Sequence, residues 1–243
     1  MAKNFRLYIK EELNLNKNVS VDENQAHYLR NVVKYSVGDE LYCFDNKNGE
    51  FLCVVKELSK KNAVLEVKEK IQDFSVSPDI WLLFAPLKKD NTDFVIQKAT
   101  ELGCRKIIPV ITKHTITNNV KIERYIAQSI EASEQCRRTD LPEISLQQDL
   151  KSVLNSWDST RILFFMDETL ESNNFLNVLR ENPIEKAAIL VGPEGGFSDD
   201  EIKLLKSLSF CKGATLGPRI LRAETAVLAS LSCWQLISGD WSN

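Results

Sequence analysis

The sequence has few of the residues from which metal and redox sites are built. It contains only two histidines and six cysteines. No two of the cysteines stand at the C-x-x-C spacing that zinc sites and redox pairs use. We therefore expect no bound metal, and we expect the cysteines to be buried free thiols.

Long apolar runs are also missing. The longest strongly apolar stretch, IWLLFAPL at 80–87, is far shorter than a membrane-spanning helix requires. Residues 1–15 mix charged and apolar side chains and lack the apolar core of a signal peptide. These absences predict a cytoplasmic protein with no membrane segment.

Neither of the common phosphate-binding loops is present. No stretch fits G-x-x-x-x-G-K-[ST], and no G-x-G-x-x-G opens a helix directly after a strand. The sequence therefore lacks the dinucleotide-binding motif of a nucleotide-dependent oxidoreductase on an open α/β sheet. That enzyme class remains one rival interpretation.

The formal net charge of −3 argues against a protein that binds nucleic acid by bulk attraction to phosphate. The charge is unevenly distributed, because residues 86–138 are basic and residues 139–243 are acidic. A local basic patch that docks on structured RNA remains compatible with this pattern, and so does a merely solvated helix face.

Residues 1–72 have the pattern of a small β-barrel. Short runs rich in aromatic and β-branched residues predict four strands: FRLYI, ELYCFD, EFLCVVKEL and AVLEVKEK. Residues 46–49 predict a hairpin turn between the second and third runs, and residues 22–34 predict a short helix. Residues 73–79 follow as a linker.

From residue 80 to residue 243 strands alternate with helices, which is typical of an α/β layer fold. The predicted strands are IWLLFA (80–85), KIIPVI (106–111), RILFFM (161–166), AAILVG (187–192) and GATLG (213–217). Apolar residues at helical spacing predict a helix that ends before Gly103 and a second helix from Ile122 to about Arg138.

A glycine-rich loop follows the fourth of these strands. The run ILVGPEGGFSDDEI (189–202) passes from a strand buried on both faces into a helix that Ser198 and Glu201 begin as a capping box. In open α/β sheets ligands bind beyond the carboxyl ends of the strands. The acidic Glu194 disfavours a polyphosphate and favours a ligand with hydroxyl groups and a cationic group. A tight turn without any ligand is the alternative.

A second loop of the same kind follows the last predicted strand. In LGPRILRAETA (216–226), Gly217 and Pro218 end the strand, and Arg219 and Arg222 precede an apolar helix at 224–237. Two such loops at neighbouring strand ends would wall one pocket. Alternatively, the two arginines form salt bridges with the acidic residues 199–201.

Taken together, these motifs resemble those of the RsmE family, the 16S ribosomal RNA uracil-N3 methyltransferases of the SPOUT class. The two C-terminal stretches LVGPEGGFSDDEI and LGPRILRAETAVL carry the resemblance. It extends in order over nearly the whole chain through AHYLRNVVKYSVGDEL (26–41), DFVIQKATELG (93–103) and EASEQCRRTDLPEI (131–144).

Two positions depart from that family's pattern. Val32-Val33-Lys34 stands where the family usually has Val-Leu-Arg, and Lys113-His114-Thr115 stands where it often has Glu-Arg-Ser. Lysine keeps the charge of arginine but loses its bidentate fork. These changes bear on individual RNA contacts rather than on the fold or the cofactor.

The resemblance implies a PUA-like N-terminal β-barrel at 1–72 that binds RNA, and a SPOUT methyltransferase domain at 80–243. The second domain would be a parallel sheet with helices on both faces and a C-terminal trefoil knot. The resemblance also implies a homodimer and S-adenosyl-L-methionine as cofactor. The implied cofactor-binding residues are Leu190, Val191, Gly192, Glu194, Gly195, Gly196, Leu216, Gly217, Ile220, Leu221, Arg222 and Thr225.

The implied reaction is methylation of N3 of a uridine in 16S ribosomal RNA of the small subunit. Arg222 is the first candidate to stabilise the anion that develops on uracil, and Arg138, from the partner subunit, is the second. Glu224 is the nearest candidate to take the N3 proton, with Glu194 behind it. The alternative for Glu224 is a helix-terminal acid paired to an arginine.

The candidate RNA contacts are Arg6, His27, Arg30, Lys34 and Arg105. A non-catalytic RNA-binding protein that retains a SPOUT fold is the rival interpretation.

Overall fold

A computed structural model of the chain describes residues 5–117, 121–181 and 183–242. The chain divides into two units. Residues 1–76 together with 133–141 form the N-terminal unit, and residues 77–132 together with 142–243 form the C-terminal unit.

The N-terminal unit is built on one five-stranded sheet with the strand order β1-β3-β4-β5-β2. Strand β1 runs parallel to β3, and the remaining neighbours are antiparallel. The helix α1 passes directly into a π-helical turn at Tyr28–Val32. The elements are β1 (Arg6–Tyr8), β2 (Asn18–Val21), α1 (Glu23–His27), β3 (Glu40–Asp45), β4 (Gly49–Leu58) and β5 (Ala63–Gln72).

The predicted hairpin joins β3 to β4, and Asp45 is the residue that shapes it. Asp45 pairs with Gly49 across the turn. Its buried carboxylate accepts the main-chain N–H groups of Lys47 (3.0 Å) and Leu13 (2.7 Å). A side chain that satisfies turn amides in this way is the common use of aspartate in loops, and it fixes the register of the two strands.

The short segment 133–141 joins the N-terminal unit through Arg6. The guanidinium of Arg6 donates hydrogen bonds to the main-chain oxygens of Ser133 (2.7 Å) and Arg138 (2.8 Å). It also forms an ion pair with Glu50, and both side chains are buried. Since a buried charge is stable only when it is paired and hydrogen-bonded, Arg6 ties this segment to the sheet.

The C-terminal unit is a parallel sheet with helices on both faces. Its strand order is β11-β13-β10-β12-β6-β7-β8, and β9 also pairs with β7. The strands are β6 (Ile80–Phe84), β7 (Lys106–Ile111), β8 (Glu143–Ile144), β9 (Gln148–Asp149), β10 (Ile162–Met166), β11 (Asn173–Asn174), β12 (Ala187–Val191) and β13 (Cys211–Thr215). The helices are α2 (Lys89–Glu101), α3 (Ile122–Cys136), α4 (Leu150–Asn155), α5 (Phe175–Glu181), α6 (Asp199–Ser207) and α7 (Ala223–Ser238), followed by a 3-10 turn at Asp240–Ser242.

Strand β12 divides the core of this unit into two layers. Its five residues are all buried. Ile189 and Val191 pack in the layer that contains Trp234 of α7, whereas Leu190 packs in the layer that contains Leu205 of α6. Successive side chains of a strand point to opposite faces, so the continuous apolar run reflects helices on both sides.

All six cysteines lie in the described part of the chain, none of them forms a disulfide bond, and four of them are buried. Burial raises the pKa of the Cys211 thiol to about 12. A thiol in this condition is un-ionised near neutral pH and behaves as a small apolar side chain.

Most of the predicted elements are confirmed. Four strands of the N-terminal unit, five strands of the C-terminal unit and helices α2, α3, α6 and α7 lie where the patterns place them. The sequence did not reveal β2 or the two-residue strands β8, β9 and β11, because so few residues give no periodic signal. The trefoil knot stays a prediction.

Candidate functional site

A cavity of about 610 Å³ opens in the C-terminal unit at the carboxyl ends of the parallel strands. We call it the site cavity. Its walls come mainly from the loops that follow β10, β12 and β13. Its volume lies within the range of sites that hold a cofactor-sized molecule.

The two glycine-proline loops share this cavity, as the sequence predicts, but they do not follow neighbouring strands. In the sheet order β13-β10-β12, strand β10 lies between the two strands that carry them. The loop after β10 therefore forms the middle of the wall. The prediction that the two loops follow neighbouring strands was therefore wrong. Strand order depends on pairing between distant segments, and the sequence of the loops carries no information about it.

The cavity gathers most of the residues that the resemblance implies. The predicted cofactor-binding residues that line it are Val191, Gly192, Glu194, Gly196, Leu216, Ile220, Leu221 and Arg222, and the predicted catalytic Glu224 lines it as well. Leu190, Gly195, Gly217 and Thr225 are not among its lining residues. Leu190 instead packs into the core on the other face of the strand from Val191, because the two side chains alternate.

Several lining residues were missed from the sequence. The loop after β10 supplies Asp167, Glu168 and Leu170, and Lys88, Asn91 and Ile116 come from beyond β6 and β7. None of these segments is rich in glycine, so no motif marks them. The available signal was the Asp-Glu pair directly after a predicted strand, since strand ends are where ligands bind in such sheets.

Asp167 shapes the loop after β10. Its main-chain N–H donates to Ala214 of β13 (2.8 Å). Its carboxylate accepts hydrogen bonds from Ser172 Oγ (2.6 Å) and from Thr169 Oγ1 (2.7 Å) and N–H (2.9 Å). Burial alone would raise the pKa of Asp167, but these hydrogen bonds outweigh it and hold the pKa below its ordinary value. The ionised carboxylate thus closes the turn that carries Glu168.

The loop after β12 bends sharply at Gly196. The main-chain N–H of Gly196 donates to Pro193 O (2.9 Å), and its φ of +69° lies in the left-handed region that favours glycine. A Cβ added at Gly196 would stand 1.7 Å from Oε1 of Glu168. The carboxylate after β10 therefore packs directly on the bend after β12, with no room for a side chain between them.

Helix α6 begins with the predicted capping box. Ser198 Oγ accepts the Glu201 N–H (3.4 Å), and Glu201 Oε2 accepts the Ser198 N–H (2.8 Å). The other oxygen of Glu201 accepts the main-chain N–H of Lys113 (2.8 Å), in the loop after β7. Glu201 is buried, so one carboxylate joins the start of α6 to a second loop near the cavity.

The charged side chains that line the cavity are of both signs, and the described ones form no ion pair with each other. Lys88, Arg219 and Arg222 face Asp167, Glu168, Glu194 and Glu224 around one space. Among the described residues, no ion pair joins either arginine to residues 199–201 or pairs Glu224 with an arginine. Within the described part of the chain, neither of these two pairings is formed.

Arg138 is not a lining residue of the site cavity. It belongs to the N-terminal unit, where its guanidinium pairs with Asp140 (3.0 Å) and both side chains are buried. Its role as a second catalytic arginine stays a prediction.

The predicted RNA contacts differ in exposure. His27, Arg30 and Lys34 are exposed on α1 and the turns that follow it. Arg6 is buried, and its guanidinium donates hydrogen bonds to main-chain oxygens of its own unit. Arg105 is half-buried, donates to Ser77 O (2.9 Å) and lies 3.7 Å from Asp79. Exposure therefore favours the first three as contacts for a partner.

Residues 5–117, 121–181 and 183–242 contain neither a metal-binding cluster nor a membrane-spanning helix. No cluster of three or more histidine, cysteine, aspartate or glutamate side chains is arranged to hold a metal ion. No helix in these ranges has both the length and the hydropathy needed to cross a bilayer.

Comparison with known families gives two matches along the chain. Residues 75–235 match an RNA methyltransferase domain, and residues 21–68 match an RNA methyltransferase PUA domain. Together these ranges cover the larger part of both units and include all three loops of the site cavity.

Individual relatives cover nearly the whole chain. A protein of Rickettsia conorii named ribosomal RNA small subunit methyltransferase E is 33% identical over 96% of this chain and 95% of its own length. The crystal structure of ribosomal RNA small subunit methyltransferase E from Neisseria gonorrhoeae, bound to S-adenosyl methionine, matches with a TM-score of 0.89 at 28% identity, over 98% of this chain and 99% of that chain. A methyltransferase of Legionella pneumophila in complex with the same cofactor matches with a TM-score of 0.88 at 27% identity, over 98% and 99% of the two chains.

The domain match spans the sheet and its three loops, and the relatives align from end to end with both units. The chain therefore belongs to the RNA methyltransferase family, with a SPOUT-like methyltransferase fold and an N-terminal PUA-like sheet.

Proposed function

We propose that this protein transfers the methyl group of S-adenosyl-L-methionine to N3 of a uridine in 16S ribosomal RNA. The observation that carries the proposal is the site cavity, in which the two glycine-proline loops and the loop after β10 converge. Full-length likeness to relatives that are named as small-subunit ribosomal RNA methyltransferases, or solved with that cofactor, supports it.

The residues of the cavity suit this cofactor chemically. Leu216, Ile220 and Leu221 offer an apolar wall for an adenine ring. The cofactor carries a sulfonium, an ammonium and a carboxylate, and the cavity holds side chains of both signs, such as Glu168 and Arg219. When bound, the cofactor supplies an electrophilic methyl group.

The chain's own groups would manage the charge and the proton of the uracil. N3 of uracil carries a proton at neutral pH, and this proton must leave as the new bond to carbon forms. Arg222 is proposed to stabilise the negative charge that develops on the uracil carbonyl oxygens. Glu224, on the first turn of α7, is proposed to accept the proton. Both line the cavity, and Arg138 of a partner subunit is the second arginine proposed.

The target uridine must be unpaired or extruded, because N3 lies on the Watson–Crick edge. His27, Arg30 and Lys34 are proposed to hold the surrounding RNA. Tyr28 between them is 44% exposed and stacks on Phe5 at 5.6 Å. An exposed ring that is supported from behind suits stacking of an unpaired base.

A homodimer is proposed from the composition of α7. After Glu224 this helix carries no charged residue. One side packs in the core through Val227, Leu231 and Trp234, yet Leu236 is 54% exposed. An exposed leucine on a helix that carries no charge after its first turn suits a covered face, and a second copy of the chain would cover it. Sedimentation of the wild-type protein and of Leu236→Glu tests this, since only the wild type should sediment as a dimer.

The deciding experiment mixes the purified protein with undermethylated small ribosomal subunits and methyl-labelled S-adenosyl-L-methionine. Label should enter the RNA, and mass spectrometry of nucleosides should find 3-methyluridine. If the protein binds RNA but no label enters it, the non-catalytic rival is correct. If calorimetry detects binding of NAD and none of S-adenosyl-L-methionine, the oxidoreductase interpretation replaces both.

A further inference from the structure

His114 lies in the loop after β7, outside the set of residues that line the site cavity. Its ring atom Nδ1 is 3.0 Å from the main-chain oxygen of Gly195 and 3.1 Å from that of Gly196. Carbonyl oxygens only accept hydrogen bonds, so Nδ1 carries the proton and donates to both. The His114 side chain thus holds the bend at Gly195 and Gly196 by two hydrogen bonds, from outside the site cavity.

The contact is close as well as polar. A Cβ added at Gly195 would stand 3.2 Å from Cβ of His114, which is a tight approach. The histidine therefore packs on Gly195 itself, and the absence of a side chain there allows the imidazole to reach both oxygens.

The loop that carries His114 is itself held in place. Thr115 Oγ1 accepts the main-chain N–H of Thr112 (2.9 Å), and the two hydroxyl groups lie 2.9 Å apart. Next to His114, the N–H of Lys113 donates to the buried Glu201 at the start of α6 (2.8 Å). Because both ends of the short loop are fixed, the imidazole is presented to the bend without a large loss of entropy.

Fixing the carbonyl of Gly196 also fixes the next N–H. The peptide between Gly196 and Phe197 is planar and trans, so its C=O and N–H point in opposite directions. With the oxygen turned to His114, the N–H of Phe197 points away from His114. No described residue accepts a hydrogen bond from this N–H, although Gly196 and Phe197 both line the site cavity. A donor that no described residue uses is available to a ligand.

We propose that His114 is a positioning residue, which orients the Gly195–Gly196 bend so that the Phe197 N–H is presented to the bound cofactor. The inference rests on the proposed function, because the cofactor must occupy the site cavity. It assigns His114 to cofactor affinity and not to the chemical step.

Three substitutions of His114 separate the hydrogen bond from simple packing. His114→Ala removes the ring and the donor, and His114→Phe keeps a ring without the donor. His114→Asn places an amide nitrogen close to where Nδ1 stood, so it keeps the donor without the ring. Lys113→Ala is the matched control, because its side chain is exposed while its main-chain N–H to Glu201 is retained.

Calorimetric titration with S-adenosyl-L-methionine should give a dissociation constant roughly tenfold higher for His114→Ala and His114→Phe than for the wild type, as expected for one lost hydrogen bond. His114→Asn should recover to within about threefold of the wild type, and Lys113→Ala should match the wild type. In the methylation assay, KM for the cofactor should rise in parallel while kcat at saturating cofactor stays within about twofold.

Equal affinity of His114→Ala and wild type would overturn the inference, and so would an asparagine variant as weak as the phenylalanine variant. A fall in kcat with unchanged KM would place His114 in the chemical step instead and would also overturn it. Failure of the proposed function is distinguishable, because in that case the wild-type protein itself binds no S-adenosyl-L-methionine.

Discussion

Replacement of Gly196 by alanine tests the site cavity most directly. The φ of +69° costs an L residue about 1 kcal/mol. This strain should lower the melting temperature by about 2–4 °C for a protein of this size. The new Cβ would also stand 1.7 Å from Glu168 Oε1 and 2.6 Å from Glu168 Cδ. Because Glu168 is exposed, its side chain should rotate away at small cost, and the protein should stay folded.

The larger effect is expected on the cofactor. Gly196 and Glu168 both line the site cavity, so displacement of the carboxylate changes the shape and charge of the space itself. We expect the dissociation constant for S-adenosyl-L-methionine to rise at least tenfold, roughly the effect of one lost charged contact. Calorimetry measures the affinity, and circular dichroism measures the melting temperature of the same sample.

Gly38→Ala is the matched control for backbone strain. Gly38 has a φ of +94°, and a Cβ there meets no heavy atom within 4 Å. The Gly38→Ala variant should lose about as much stability as Gly196→Ala and should bind the cofactor as tightly as the wild type. Gly196→Ala should weaken cofactor binding less in a Glu168→Ala background than in the wild-type background. The Cβ at position 196 then no longer collides with the Glu168 side chain. Unchanged affinity in Gly196→Ala alone would refute the assignment of the cofactor to this cavity.

Three further predictions concern single side chains. Arg222→Ala should lower kcat roughly 100-fold while calorimetry finds a smaller change in cofactor affinity; full turnover would move the catalytic arginine elsewhere. Glu50→Ala should destabilise the N-terminal unit by about 3 kcal/mol, because it leaves the buried Arg6 guanidinium without its counter-ion. Urea unfolding measures this, and a loss below about 1 kcal/mol would contradict it. Asp167→Asn should remove stability at neutral pH, because the pKa of Asp167 is held low by hydrogen bonds to its ionised form. The stability difference from wild type should persist above about pH 4 and shrink as the pH falls below it, through the folded-state pKa; a difference that grows towards acid would show the sign to be wrong.

Local chemistry explains why so much could be predicted from the sequence. The unbroken apolar run of β12, the Ser198–Glu201 capping box and the hairpin after β3 each depend on residues within a few positions of one another. Their signals therefore survive without knowledge of the rest of the chain. The same holds for the two glycine-proline loops, whose position after a strand and before a helix indicated a ligand site.

Long-range pairing decided what the sequence could not reveal. Strand β10 lies between β12 and β13, although it precedes both along the chain, and this order alone brings Asp167 and Glu168 into the cavity. His114 reaches Gly195 across 81 positions of sequence, and Arg6 reaches Ser133 across 127. Sequence by itself determined most of the longer strands and helices and two of the three loops of the site cavity, because these depend on periodicity and capping. Only the tertiary structure decided which of those segments meet, because burial and hydrogen bonding between distant segments select the neighbours.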